Sequence, residues 1–307
     1  MLDPKPWQSV KSDQSYRVSF AIFGPEYRPH GLAKYHIAGY ADVRSIFGTP
    51  KGEPSTAKSR AWWKLRGAAS RFAISRADMV IVESQAIASR LTVLKRWKTP
   101  VAVVPNSYNG IFDQPETWEP VGVLRPKDTH YLLACIARPY PHKNLELLPA
   151  VRERALKLGV SIRFAVTLPA EDWDRRDGRF RDACVNLGVI SVRQVPDALS
   201  AMDGAICPSL LEAFSVTPLE VMRSGKPLFV SDRYFYREVC GQAAAYFDPL
   251  DAGDCAKTLI QALSDRKLTS RMIASGRAVV AQLPSAGQRA GSYLSYIDEI
   301  YGSDDER

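Results

Sequence analysis

The chain has 307 residues, of which 46% are hydrophobic and 24% are charged, and this composition argues against a disordered or fibrous protein. Its longest apolar runs are far shorter than the roughly 20 residues that span a bilayer, and residues 1–11 are polar, so we expect neither a membrane span nor a secretory signal. The net charge of +8 attracts polyanions but does not determine the fold.

Short apolar, β-branched runs alternate with amphipathic stretches along most of the chain, as is typical of parallel sheets covered by helices. The pattern predicts strands at 17–23, 79–83, 101–104, 131–137, 161–167, 188–195, 204–207 and 227–231. It predicts helices at 60–75, 84–95, 145–158, 251–264, 267–281 and 286–301. Right-handed crossovers between such strands build doubly wound domains, whose ligands bind at the carboxyl ends of the strands.

A proline-containing stretch at 106–128 interrupts this alternation and is interpreted as the connection between two domains. The predicted divisions are an N-terminal domain at 1–112, a linker at 113–128, a C-terminal domain at 129–284 and a returning helix at 285–307. The first domain is predicted to be incomplete, because only three or four strands precede the linker.

The segment from Lys58 to Arg76 contains six basic residues and no acid, with Trp62, Trp63 and Phe72 interleaved. This pattern is typical of an interfacial helix that faces anionic lipid. The alternative is a solvated basic helix whose aromatic side chains pack inward, whereas nucleic acid is disfavoured because no reader motif accompanies the charge. Five cysteines without a C-x-x-C pair are interpreted as reduced, buried thiols of a cytoplasmic protein. The basic segment adds the expectation of a peripheral position at the inner face of the plasma membrane.

Two carboxylates flank a predicted helix start in the segment 208–227, which has the sequence PSLLEAFSVTPLEVMRSGKP. Thr217 is the expected N-cap, Pro218 the first helical residue and Glu220 the acid of a capping box. The helix start would favour an anion, and Glu212 lies in the loop before it. Glu220 could be a capping acid alone. A glycosidase pair is disfavoured, because a capping glutamate is poorly placed to exchange protons.

Two cations follow the predicted strand at 131–137 in the sequence ARPYPHKNL. Arg138 and Lys143 therefore lie where a doubly wound domain binds its ligand. Arg offers a bidentate fork to phosphate oxygens and Lys a compact charge, so the pair could hold a diphosphate and stabilise it as it leaves. The alternative is a pair of solvated loop cations.

These segments together resemble a known family. The sequence EAFSVTPLEVM, with Glu212 and Glu220 at the two glutamates, resembles the paired-glutamate signature of retaining GT-B glycosyltransferases, family 4 in particular. Asn106 in VAVVPNSYNGIFD, Arg138 with Lys143, and residues 195–209 resemble flanking segments of the same family. The resemblance covers about 16–301. It implies an α/β protein with two Rossmann-like, doubly wound domains that face a cleft. The strand and Gly-rich loop that begin most members are missing.

The resemblance also implies roles for individual residues. Arg138 and Lys143 would bind the diphosphate of a nucleotide sugar, Glu220 the ribose hydroxyls, and Glu212 would face the donor sugar as a catalytic residue. The loop whose backbone approaches the donor would consist of Ala213, Phe214, Ser215, Val216 and Thr217. The family usually has glycine at positions 213 and 215, so a positive φ would be less comfortable here.

The expected sugar-facing catalytic histidine is His36, ahead of His30, although a structural imidazole is the alternative. No cofactor and no metal are expected, because two cations and a helix end already supply positive charge near the donor.

The sequence therefore predicts a retaining glycosyltransferase that moves a hexose from a nucleotide-diphosphate sugar to a saccharide or lipid-linked acceptor of the cell envelope. A non-catalytic GT-B homologue that binds nucleotide or a partner subunit is one alternative, and a sugar-nucleotide epimerase or a phosphorylase on the same fold is another. The missing first strand and Gly-rich loop belong to the acceptor half, so nucleotide binding with impaired transfer is a further expectation. An absent first strand would also leave a sheet edge unpaired, so self-association or a partner subunit is expected as well.

Overall fold

The computed structural model describes residues 16–22, 33–93 and 97–302. Within these ranges, ten strands form two sheets in which every neighbouring pair is parallel. The strands are β1 (Tyr16–Ala21), β2 (Ala33–Gly39), β3 (Met79–Val82), β4 (Val101–Val103), β5 (Tyr131–Cys135), β6 (Ile162–Val166), β7 (Cys184–Asn186), β8 (Gly204–Cys207), β9 (Leu228–Ser231) and β10 (Ala245–Phe247). The parallel α/β class predicted from the sequence is confirmed.

Helices connect the strands in the same ranges. They are α1 (Val43–Phe47), α2 (Ala57–Ile74), α3 (Gln85–Thr92), α4 (Leu147–Lys157), α5 (Ala170–Asp174), α6 (Gly178–Ala183), α7 (Val195–Ser200), α8 (Thr217–Arg223), α9 (Tyr234–Cys240), α10 (Ala252–Ser264), α11 (Arg266–Gln282) and α12 (Ala286–Gly302). In the part of the chain that is described, no helix combines the length and the apolar character needed to span a membrane.

The first sheet has the order β1-β2-β3-β4 and is covered on both faces. Because side chains alternate along a strand, Val80 and Val82 face one layer, and Met79 and Ile81 face the other. The first layer contains residues of α1, α2 and α3, namely Ile46, Ile74, Ile87, Ala88 and Leu91. The second layer contains residues of α12, namely Tyr293, Tyr296, Ile297 and Ile300. The last helix therefore packs on the sheet formed by the first part of the chain.

The second sheet has the order β10-β9-β8-β5-β6-β7 and is also covered on both faces. One face packs against α4, α6 and α10 through the buried residues Leu148, Val151, Phe180, Cys255 and Leu259. The opposite face packs against α7, α8 and α9 through Leu199, Leu219, Met222, Phe235 and Tyr236. All five cysteines are buried and free, as predicted.

The predicted strand at 188–195 is wrong. This segment instead contains a 3-10 turn, Val192–Gln194, followed by the start of α7, and the neighbouring strand is β7. Gly188 has φ 71°, and Gln194 accepts a hydrogen bond from the backbone of Ser191, so the segment forms a capped turn. Its apolar side chains had suggested a strand, but Val189 is 75% exposed. The strands β2, β7 and β10 were not among the predicted strands.

The stretch that precedes β5 lies along the second domain. Phe112 is buried in the core of that domain, and the backbone amide of Val121 donates to Asp197 at 2.7 Å. Arg125 forms an ion pair with Asp203. These contacts hold much of the predicted linker against the domain that follows it.

Candidate functional site

The strand order of the second sheet creates a crevice between β5 and β8. These strands are hydrogen-bonded neighbours, although β6 and β7 lie between them in the chain and on the other side of β5. In parallel α/β sheets, ligands bind outside the carboxyl ends of the strands where the order reverses in this way. The loop after β5 carries Arg138 and Lys143, and the loop after β8 carries Glu212.

The two loops meet at this crevice. The Lys143 ammonium donates to a Glu212 carboxylate oxygen at 2.5 Å, and both side chains are largely buried. The backbone amide of Leu210 donates to the carbonyl of His142 at 2.7 Å and so joins the loops through the main chain as well. The structure thus brings together two of the residues predicted for the donor site.

Asn144 fixes the conformation of the first loop directly after Lys143. It adopts the left-handed region with φ 57°, which asparagine tolerates better than most residues. Its side-chain amide donates to the carbonyl of Pro249 at 2.9 Å. These two features of Asn144 fix the backbone from which the Lys143 side chain projects.

Arg138 lies in the same loop, but its side chain is exposed. Within the described ranges it has neither an ion-pair nor a hydrogen-bond partner, so the structure does not join it to Lys143 or Glu212. An exposed guanidinium in this position remains available to a ligand.

The loop from 212 to 217 leads from β8 into α8. Ala213 packs against the core of the first domain and Phe214 against that of the second, whereas Ser215 is buried. Among the described residues, Asn144 is the non-glycine residue with a positive φ, so Ala213 and Ser215 do not need the conformational freedom of glycine. The two substitutions are therefore compatible with this loop conformation.

The predicted capping arrangement of α8 is wrong. Val216 occupies the N-cap position with helical angles, φ −78° and ψ −31°, and Thr217 is the first residue of the helix. A capping side chain belongs to the N-cap residue, whose backbone is usually extended. Thr217 is instead the first helical residue, so its hydroxyl does not cap α8 and Glu220 is not part of a capping box. In the part of the chain that is described, the Glu220 carboxylate has no hydrogen-bond partner. Burial raises its pKa to about 7.

A cleft of about 440 Å³ separates the two domains at this site. Its walls from the second domain include His142, Glu212, Ala213 and Phe214. Its walls from the first domain follow the carboxyl ends of β2 and β3 and one side of α2, and include Asp42, Arg44, Trp63, Arg66 and Glu83. The candidate donor loop therefore faces the first domain across the cleft.

His142 was not recognised in the sequence as a site residue. Its ring stacks on Tyr140 with 5.7 Å between the ring centroids and lines the cleft beside Glu212. Burial lowers the pKa of His142; nearby Lys143 and Arg44 act in the same direction, while Glu212 opposes them. The imidazole is thus held towards its neutral form.

A second polar cluster at the cleft joins three distant parts of the chain. The Asn106 amide donates to a Glu83 oxygen at 2.9 Å, and Arg289 of α12 donates to Asn106 at 2.6 Å and to Glu83 at 2.8 Å. Burial raises the pKa of Glu83, while the Arg289 guanidinium opposes that shift. The cluster connects the returning helix to the wall of the cleft.

The structure places His36 in β2, beside β1 and β3. The imidazole Nδ1 lies 2.5 Å from the Ser19 hydroxyl, and the His36 amide donates to Asp78, which precedes β3. It is therefore level with the amino end of β3. Ala41, at the cleft, is five residues further on, or roughly 16 Å of extended chain. This placement favours the structural alternative. His30 lies outside the described residues.

The two domains also touch beside the cleft through α9. Tyr234 stacks on Phe47 with 4.6 Å between the ring centroids. The Glu238 carboxylate accepts hydrogen bonds from the backbone amides of Gln85 and Ala86 at 2.6 and 3.1 Å, at the start of α3. This carboxylate supplies partners for the unpaired amides of a helix N-terminus.

Residues 179–279 match the family model described as "Glycosyl transferases group 1". This range includes Glu212, Glu220 and all of α8. The matched range lies within the second domain. A comparison with curated proteins finds no match.

Solved glycosyltransferase structures share the fold. Sucrose-phosphate synthase from Thermosynechococcus elongatus is 18% identical with a TM-score of 0.67, and the alignment covers 87% of this chain and 68% of that one. A trehalose-phosphate synthase from Burkholderia vietnamiensis is 11% identical with a TM-score of 0.67, covering 88% and 68%. A mutant of S. aureus TarM, in complex with Fondaparinux, alpha-GlcNAc-glycerol and UDP, is 14% identical with a TM-score of 0.61, covering 88% and 52%. The chain thus spans about half to two thirds of these proteins. The likeness confirms the GT-B fold.

Proposed function

We propose that this chain is a retaining glycosyltransferase that moves a hexose from a nucleotide-diphosphate sugar to an acceptor held in the interdomain cleft. The observation that carries the proposal is the contact between Lys143 and Glu212 at the carboxyl ends of β5 and β8, on the wall of that cleft. The match of residues 179–279 to a glycosyltransferase family supports the same assignment.

The donor diphosphate would bind to Lys143 and Arg138. Lys143 is held in place by its loop, whereas Arg138 is exposed and unpaired among the described residues, so a diphosphate can recruit it without breaking another contact. Hydrogen bonds between cations and phosphate oxygens are about twice as strong as neutral ones. We propose that these side chains bind the diphosphate without a metal ion.

The ribose of the donor would bind to Glu220. Its carboxylate is largely buried and, within the described ranges, has no polar partner, which is costly for a charged group. Two ribose hydroxyls would donate to the carboxylate oxygens and stabilise the ionised form. The loop formed by Ala213, Phe214, Ser215, Val216 and Thr217 would lie against the donor between the diphosphate and the cleft.

Glu212 would turn from Lys143 to the donor sugar when the diphosphate arrives. Its carboxylate lies between the crevice and the cleft, so it is placed to hydrogen-bond the hexose and to stabilise positive charge that develops at the reacting carbon. Retention would follow from attack at the donor face, with the leaving phosphate accepting the proton of the acceptor hydroxyl. The protein would act mainly by positioning and by electrostatic stabilisation.

The acceptor would enter from the first domain. Arg44, Trp63 and Arg66 line that side of the cleft and offer an aromatic surface and cations to a saccharide or a lipid-linked saccharide of the cell envelope. The Arg44 guanidinium also lies 4.8 Å from the ring centre of Trp63.

The test is a panel of nucleotide-diphosphate sugars, each incubated with mixed saccharide and lipid-linked acceptors, with release of free nucleoside diphosphate as the signal. We expect acceptor-dependent release that is lost in Lys143→Ala and retained in Lys127→Ala, which changes an exposed lysine outside the site. Binding without release would instead support a non-catalytic homologue. Isomerisation of the donor sugar without acceptor would support an epimerase.

A further inference from the structure

The outward side of α2 is apolar. Leu65 is 73% exposed, Phe72 64% and Trp62 51%. Leu65 and Phe72 are two helical turns apart and Trp62 is one turn before Leu65, so the three side chains form one stripe, with Ala61, Ala68 and Ala69 exposed beside it. The buried side of the helix consists of small or aliphatic residues, namely Gly67, Ser70 and Ile74. The large apolar side chains at 62, 65 and 72 therefore point away from the core.

Positive charge borders this apolar stripe. The segment from Lys58 to Arg76 contains no acidic residue, and Lys58, Lys64 and Arg76 are exposed. Lys58 and Lys64 have no ion-pair partner in the described parts of the chain, and Arg76 lies 5.7 Å from the ring centre of Phe72. An apolar helix face flanked by unpaired cations complements an anionic lipid surface, in which acyl chains receive the apolar side chains and phosphates receive the cations.

The same helix forms a wall of the interdomain cleft. Trp63 and Arg66 line the cleft, and they adjoin Trp62 and Leu65 in the sequence. The Arg66 guanidinium lies 5.4 Å from the ring centre of Trp62 and 5.3 Å from that of Trp63, and so bridges the two surfaces. A lipid layer against the outward side of α2 would therefore border the mouth of the cleft.

We propose that the outward side of α2, formed by Trp62, Leu65 and Phe72 with Lys58, Lys64 and Arg76 around it, docks the protein on an anionic lipid surface. If the proposed function is correct, the acceptor is then an amphiphile that stays in this surface while its polar head enters the cleft between Trp63 and Glu212. Docking itself does not depend on the transferase proposal.

Vesicle sedimentation of the full chain, without nucleotide or acceptor, tests the docking. We expect binding to phosphatidylcholine vesicles that contain phosphatidylglycerol, weaker binding to phosphatidylcholine alone, and loss of binding as salt rises. Leu65→Ser with Phe72→Ser should lower the vesicle partition constant about tenfold or more, since two large apolar contacts are removed. Lys58→Glu with Lys64→Glu should lower it to a similar degree on anionic vesicles and have little effect on neutral ones.

Matched controls lie in the predicted linker and the second domain, away from α2. Leu124→Ser with Val189→Ser removes apolar side chains that are 82% and 75% exposed, and Lys127→Glu with Lys267→Glu makes the same charge change at exposed positions. Both controls should bind vesicles like the unchanged protein, and thermal unfolding would verify that all variants fold.

Equal binding to neutral and anionic vesicles, or equal losses in the controls, would overturn the proposal. Sedimentation equilibrium tests the alternative that a second copy of the chain covers the outward side of α2. A dimer that depends on Leu65 and Phe72, together with no binding to vesicles, would support that alternative and overturn the proposal. A chain that docks on vesicles but transfers no sugar would retain the docking surface and refute the proposed function alone.

Discussion

The ammonium nitrogen of Lys143 lies 2.5 Å from a carboxylate oxygen of Glu212, a residue 69 positions further along the chain. Without a ligand the two side chains neutralise each other. A bound diphosphate would compete with Glu212 for Lys143 and leave the carboxylate free for the donor sugar. Nucleotide binding and the arrangement of Glu212 are therefore coupled in the proposed mechanism.

Removing the charge of Glu212 should separate binding from catalysis. In Glu212→Gln the ammonium of Lys143 loses its competitor, so we expect the affinity for a nucleoside diphosphate to stay equal or to rise by up to about tenfold. Turnover should fall by about a hundredfold, since the stabilising carboxylate is lost. Isothermal titration calorimetry and steady-state kinetics measure the two effects. Weaker binding together with normal turnover would refute this role.

The two cations should differ in their effect on the protein without ligand. Arg138→Ala and Lys143→Ala should each weaken binding of a nucleoside diphosphate by about 1.5–3 kcal/mol. Arg138 has no partner among the described residues, so its variant should keep the unfolding temperature of the unchanged protein. Lys143→Ala leaves the buried Glu212 carboxylate unpaired, and should lower the free energy of unfolding by about 1–3 kcal/mol. Calorimetry measures the affinities and thermal melts measure the stabilities, both in EDTA so that no metal ion contributes. Unchanged affinity in both variants would eliminate this diphosphate site.

Glu220 predicts a dependence of stability on pH. Burial raises the pKa of its carboxyl from 4.5 to about 7, so the folded state is favoured by the protonated form. This stability is fully present below the pKa of the unfolded chain and is lost as pH rises to about 7. Between pH 4.5 and 8, the free energy of unfolding of Glu220→Gln should therefore rise relative to the unchanged protein by about 3 kcal/mol. Urea unfolding at several pH values measures the difference, and a constant difference would contradict the assignment.

Nucleotide binding should favour the ionised form of Glu220, whereas folding favours the protonated form. Ribose hydroxyls donate to the ionised carboxylate, so the affinity of the unchanged protein for a nucleoside diphosphate should increase as pH rises through about 7. The phosphate groups titrate in a nearby range, and Glu220→Gln corrects for them because it retains their contribution. The pH profiles of the two proteins should differ by a single group. Identical profiles would place the ribose elsewhere.

The contact between Glu83 and Arg289 should contribute to stability more at high pH. Arg289→Ala removes a cation from a largely buried carboxylate and should lower the free energy of unfolding by about 1.5–3 kcal/mol at pH 8. The loss should be smaller at pH 5, because without Arg289 the pKa of Glu83 rises further and the carboxyl is more readily protonated. Adding Glu83→Gln to Arg289→Ala should restore part of the stability at pH 8. No recovery in this double variant would indicate that Arg289 acts by packing alone.

Local patterns were sufficient to predict most strands and the site loops of the second domain. Strands such as β5, β6, β8 and β9 are short apolar runs, and the residues after β5 and β8 lie at one sheet edge because all strands are parallel. The parallel pattern placed Lys143 and Glu212 at one edge of the sheet, and the resemblance to GT-B glycosyltransferases implied that both belong to the donor site; their direct contact was not predicted. The exposed apolar run at 188–195 gave a wrong strand, because local hydrophobicity does not report burial.

The remaining site residues depend on contacts that no local pattern contains. Arg289 donates to Glu83, which is 206 positions away, and His142 becomes part of the cleft only when the first domain packs opposite it. His36 was chosen from its place in a strand-like run, but its distance from the cleft depends on the register of β2 with β1 and β3. Sequence periodicity predicts that a segment is a strand, but it does not predict the register in which that strand pairs with its neighbours.

The packing of α12 on the first sheet has a consequence for biosynthesis. The strands β1, β2, β3 and β4 emerge from the ribosome long before α12, so the face that includes Ile37, Met79 and Ile81 stays without its α12 cover until that helix has been translated. The second domain can complete its own layers earlier. The first sheet would then mature after the second, in an order that differs from the order of translation.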